Sequence, residues 1–148
     1  EGDSKFIAKE ICKVIEKNNN EEVSQKIEGS ILSKEIKVNI KLDDNTFAPR
    51  ELLIKLWSWD KVCMLFINAE VLSGYILNKY KGLNIMSIGY SNNMFGYLPS
   101  EKDLKLGGYE VDKSRYLFGI NSRISSSSVN KINTLIKKNL DDFLLNKK

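Results

Sequence analysis

The sequence contains no histidine. A Ser-His-Asp triad, a Cys-His pair and a histidine-ligated metal site are therefore excluded for this chain acting alone. Cysteine is limited to Cys12 and Cys63, in a helix-like and a strand-like apolar context, where both read as buried reduced thiols. No apolar run approaches the ~20 residues that a membrane-spanning helix needs, so a chain without a transmembrane segment is expected, cytoplasmic or secreted. Excess charge is also scarce. The 23 basic residues against 19 acidic ones leave a net charge of +4, and the lysines are scattered among carboxylates rather than gathered into a stripe, which argues against nucleic acid as a partner. The opening EGDSKFIAKEI has neither an initiating Met nor the apolar core of a signal peptide, and it reads as the middle of something longer.

What is present fits one domain over residues 1–148. Hydrophobic residues make up 42%, enough for a real core at this length. Ile7, Ile11, Val14 and Ile15 fall at helical spacing after a cap at Asp3 or Ser4. Ile36, Val38, Ile40 and Leu42 alternate with Lys37, Asn39 and Lys41, the period of an edge strand with one wet face. Residues 51–57 (ELLIKLW) and 62–67 (VCMLFI) are strand-like runs separated by SWDK, short enough for a hairpin. The second run is apolar throughout and predicts a strand covered on both faces. Residues 71–80 place Val71, Leu72, Tyr75 and Ile76 on one helical face, and 85–90 (IMSIGY) returns to a strand. Strand, helix and strand form a right-handed crossover between parallel neighbours. A last amphipathic helix carries Val129, Ile132, Leu135, Ile136, Phe143 and Leu144, with Ser128 as its cap. The serine run 125–128 reads as a capping turn before it reads as a linker or phosphosite. The fold class expected is α/β (or α+β), a mixed central sheet with flanking helices.

Ligands of open α/β sheets bind outside the carboxyl ends of the strands, and there the sequence concentrates its unusual residues. Glu70 follows VCMLFI by three positions and would stand at the first turn of the next helix. It is either a functional carboxylate or an acid that complements the helix dipole. Residues 89–111, GYSNNMFGYLPSEKDLKLGGYEV, hold four of the nine glycines, around Tyr90, Tyr97 and Tyr109. Tyr97 is either a site residue or a phenol packed over a turn. Loops that keep glycine and asparagine together serve positive φ or a close approach of backbone.

Asn92, Tyr97-Leu98-Pro99 and Gly107-Gly108-Tyr109-Glu110, together with ELLIKLWSWDKVCMLFINAEVLSGY and the closing helix, resemble the C-terminal part of the catalytic domain of neutral/alkaline non-lysosomal ceramidases and their shorter bacterial relatives. The match runs over about residues 50–145. The resemblance implies that the chain is the downstream part of a zinc-dependent amidohydrolase acting on an N-acyl lipid or another amide. Its partner would be the missing N-terminal half of the same protein. In the family, one zinc ion is held by two upstream histidines and by a downstream glutamate and tyrosine, which match Glu70 and Tyr97. Asn92 matches the loop expected to bind substrate. Asn68-Ala69 stand where the family usually has Pro-Gly. The Gly107–Glu110 turn is expected to brace the loop that carries Tyr97, and the chain alone is expected to be inactive. A non-catalytic α/β module that binds a partner is the alternative. Upstream histidines in the parent reading frame would favour the enzyme, and their absence the module.

Overall fold

The structure, a computed structural model, describes residues 9–10, 12–13, 29–60, 62–72 and 84–145. Its centre is a four-stranded mixed sheet in the order β1-β2-β3-β5, with β1 Leu32–Val38, β2 Leu52–Trp59, β3 Val62–Ile67 and β5 Asn84–Ile88. Two further strands of two residues each, β4 Glu70–Val71 and β6 Tyr97–Leu98, pair with each other in parallel. A short helix α1, Glu101–Leu106, and a long helix α2, Ser126–Leu145, complete the regular elements, with a π-helical turn at Tyr109–Lys113 and a 3-10 turn at Ser114–Phe118 between them. The class is α/β, as the alternation of patterns predicts.

The hairpin predicted from SWDK is present, but tighter. β2 runs on to Trp59, and Asp60 takes a left-handed conformation (φ 50) to reverse the chain. β2 and β3 pair antiparallel, with Leu56 opposite Leu65, while β3 and β5 pair in parallel, with Leu65 opposite Ser87. The parallel pairing expected for the crossover therefore holds. Its connecting helix over 71–80 falls almost wholly on residues outside those described, as do Ile7, Ile11, Val14 and Ile15 of the predicted first helix.

β1 begins and ends four residues earlier than the pattern of 36–42 predicts. Beyond Val38 it no longer pairs with β2, yet Ile36, Val38, Ile40 and Leu42 are all buried. Alternation survives because the chain stays close to the core after leaving the ladder, held by single bridges from Lys41 to Phe47 and from Leu42 to Ile124. One face of the sheet (Leu52, Ile54, Leu56, Cys63, Leu65, Ile67) forms a single buried cluster with Val129, Ile132, Ile136 and Leu140 of α2 and with Phe95 and Leu98. Each such side chain contributes about 1.5–3 kcal/mol relative to exposure, so α2 is fixed by this stripe. The side chains of Phe143 and Leu144 lie outside the described residues.

One face of β3 is buried among the described residues (Cys63, Leu65 and Ile67), and the helix over 71–80 expected on its other side lies almost wholly outside them. Val62, Met64 and Phe66 are half-buried, and their neighbours Trp57 and Met86 are exposed. Cys63 is buried in the core, but Cys12 is exposed, contrary to its expected burial. The cap of α2 is Ser125 rather than Ser128. The Ser125 hydroxyl accepts the Ser128 amide (3.2 Å), whereas the Ser128 hydroxyl accepts the Lys41 amide (2.9 Å) and donates to the Lys41 carbonyl (2.9 Å). Ser125 also donates its hydroxyl to the Lys41 carbonyl (2.8 Å), so both serines tie the helix to that segment, and spacing alone does not show which of the four is the cap. No helix among the described residues is long and apolar enough to cross a membrane.

Candidate functional site

The end of β3 sets the path of the chain toward Glu70. Ile67 is the last ladder residue, and at Asn68 the side chain takes over the pairing. Its Oδ1 accepts the Leu53 amide (2.7 Å), its Nδ2 donates to the Glu51 carbonyl (3.2 Å), and its own amide donates to the Leu53 carbonyl (3.1 Å). Asn68 thus fixes this turn by side-chain bonds to β2. Ala69 is fully buried behind it, and the chain then emerges at Glu70.

Glu70 does not stand on a helix. It lies in β4, with its amide donating to the Gly96 carbonyl (2.9 Å) and its register partner Tyr97 in β6. The dipole explanation of this acid therefore falls away, because the pairing with β6 competes with a helix start at the same backbone groups. Loop 90–98 is fastened along 67–72 by further bonds, from the Tyr90 amide to the Ala69 carbonyl (3.1 Å), from Ser91 to Ile67 (3.1 Å), from Phe95 to Asn68 (2.6 Å) and from Leu72 to Leu98 (3.1 Å). Two glycines, Gly89 just before this loop and Gly96 within it, answer to close approach. A Cβ on Gly89 would sit 2.9 Å from the Ala69 carbonyl oxygen, and one on Gly96, whose φ is 134°, would sit 3.2 Å from the Phe118 ring.

The carboxylate of Glu70 acts on two phenols. Bonding to it pushes the Tyr90 hydroxyl up to about 12 and raises Tyr97 as well, because a phenol that donates to an anion holds its proton. Glu110 and Tyr109 act on Tyr97 in the same direction from further off. Tyr90 is the residue that sequence patterning missed. It is exposed and occupies the left-handed region (φ 56), as does Asn92 (φ 59). A bulky residue at positive φ is uncommon, and the signal in the sequence was an aromatic placed between Gly89 and Ser91 at the end of a strand.

The bracing expected of the Gly107–Glu110 turn comes instead from Phe118, in the 3-10 turn that follows it. Its ring meets Tyr97 edge-on, with centroids 6.3 Å apart, besides packing on Gly96. The Gly107–Glu110 turn is itself held by Asp112, which accepts the Gly108 amide (2.8 Å) and pairs with Arg123. The Gly108 bond, with Arg123 behind it, keeps the Asp112 carboxyl below the usual range. Asn92 belongs to the same loop as Tyr97 but lines a separate cleft with Arg50 and Lys37.

Catalytic zinc is held by three protein ligands and a water, commonly with histidine nitrogens among them. Among the described residues no three of His, Cys, Asp and Glu are gathered. Glu70 and Tyr97 supply adjacent oxygen donors, so they fit two positions of such a centre and leave it incomplete. Comparison with family models, with curated proteins and with solved structures finds no match.

Proposed function

We propose that the chain is the downstream part of a zinc-dependent amidohydrolase of the ceramidase type, with Glu70 and Tyr97 as its two contributions to the metal and an N-acyl lipid or related amide as substrate. The observation that carries this reading is the register of β4 and β6, which holds a carboxylate and a phenol side by side at the carboxyl end of the central strand. Zinc bound there would polarise the amide carbonyl. The residues of this chain do the positioning. Glu70 supplies the anionic donor, its backbone locked to Gly96. Tyr97 supplies a neutral oxygen whose ring is wedged against Phe118. Tyr90, whose hydroxyl the Glu70 carboxylate pushes up to about 12, would keep its proton beside that carboxylate. The remaining ligands would come from the upstream half of the same protein.

The test is zinc content, N-acyl amide hydrolysis and thermal midpoint in a polypeptide that includes the upstream sequence. Glu70→Gln is expected to lose bound zinc and turnover with little change in midpoint, and Tyr97→Phe to lower both. Wild-type metal and turnover in each variant would defeat the assignment. A second reading, a non-catalytic module that binds a partner, draws on the exposed Trp57 and Met86 of the sheet; it predicts no zinc and no hydrolysis in the same preparation.

A further inference from the structure

A cleft of about 670 Å³ opens between the start of β2 and the loop after β5, a volume within the ~300–1,000 Å³ usual for small-molecule sites. Two cations reach it from different elements. Lys37 comes from β1, and Arg50 from the segment before β2. Arg50 is already oriented, because its Nη1 donates to the Met94 carbonyl (2.9 Å). That bond uses one of five guanidinium donors. Lys37 faces the Glu35 carboxylate at 3.6 Å, but Glu35 also faces Lys55 at 3.5 Å, so one anion is divided between two ammonium groups. The same lining includes Asn92 and Asn93, whose side chains offer amide donors and acceptors, and one carboxylate, Glu51. Asn68 also lines it but is committed to β2 through both its side-chain atoms.

We propose that this cleft binds a small molecule bearing both a carboxylate and an amide N–H, of the N-acyl amino acid class. Arg50 and Lys37 take the carboxylate. Glu51 accepts the N–H, and the acyl carbonyl meets the Asn92 and Asn93 amides. A cationic pair beside a single carboxylate selects such a ligand over a simple anion, which would be repelled by Glu51 without offering it a proton. It also selects against a neutral amide, which would leave the two cations unmatched.

The proposal requires neither zinc nor turnover, so it stands or falls separately from the zinc reading. The probe is N-acetylglycine, titrated into the chain while the backbone amide resonances of residues 92–94 are followed, with its neutral carboxamide as control. Saturable shifts confined to the cleft are expected for N-acetylglycine, with binding about tenfold or more weaker for the carboxamide, the loss expected when a charge-assisted contact disappears. Lys37→Ala is expected to weaken binding by a similar factor without moving the thermal midpoint, because Lys37 is exposed and holds no loop. Arg50→Lys is expected to weaken it further, since it also releases the Met94 carbonyl. Absence of saturable shifts, equal binding of the carboxamide, or wild-type affinity in Lys37→Ala would each overturn the proposal.

Discussion

Replacing Asn68 by alanine removes the device that turns the chain from β3 toward Glu70. The substitution deletes the Oδ1 acceptor of the Leu53 amide and the Nδ2 donor to the Glu51 carbonyl. Glu51 is exposed and water can replace the lost donor, so that bond counts for little. Leu53 is half-buried at the end of the β2–β3 ladder, and Asn68 itself is only 5% exposed. Leaving a poorly hydrated N–H without a partner costs about 1–3 kcal/mol. For a domain of this size that corresponds to a fall of about 3–10 °C in thermal midpoint. Midpoint alone would not identify the cause, so hydrogen exchange at the Leu53 amide is the decisive readout. Exchange there should accelerate well beyond what global destabilisation explains in Asn68→Ala. In Asn68→Asp, which keeps an acceptor, the Leu53 amide should stay protected. If Asn68→Ala is as stable as the wild type and the Leu53 amide exchanges at an unchanged rate, the side chain does not fix this turn.

Gly96→Ala should cost about 1–3 kcal/mol, because it sets a Cβ at φ 134° and 3.2 Å from the Phe118 ring; chemical denaturation measures it, and a loss below about 0.5 kcal/mol would refute the bracing contact. The depressed Asp112 carboxyl contributes stability that is present above its unfolded pKa of 3.8 and is lost as pH falls through its lower folded pKa. Asp112→Asn should therefore be less stable than the wild type at neutral pH and converge with it in acid, in urea titrations across that range. A gap that stays constant with pH would contradict the Gly108 and Arg123 contacts as its source.

The elements legible in the sequence are those whose burial is periodic. Leu52, Ile54 and Leu56 against Cys63, Leu65 and Ile67 specify the hairpin, and Val129, Ile132 and Ile136 specify the long helix and the face it packs. The parallel return to β5 comes from chain connectivity. The paired strands β4 and β6 are not legible, because two residues each carry no period and the pairing is between backbone groups. The sequence pattern accordingly puts Glu70 on a helix, although strand order alone brings it near Tyr97. Tyr90 escapes notice because its contribution depends on a left-handed backbone and on a carboxylate twenty residues earlier. The cap serine is ambiguous because four identical residues offer the same hydroxyl and both Ser125 and Ser128 bond to Lys41; only the Ser128 amide's bond to the Ser125 hydroxyl marks the cap.

The most direct test of the zinc reading is to locate the metal. Crystals of a polypeptide that includes the upstream sequence, grown with zinc and measured for anomalous scattering on both sides of the zinc edge, would show where the ion sits. The account predicts one zinc at about 2.0–2.2 Å from both a Glu70 carboxylate oxygen and the Tyr97 hydroxyl, with the remaining ligands from the upstream half. A zinc bound elsewhere, or Glu70 and Tyr97 left without metal while zinc is present, would contradict it.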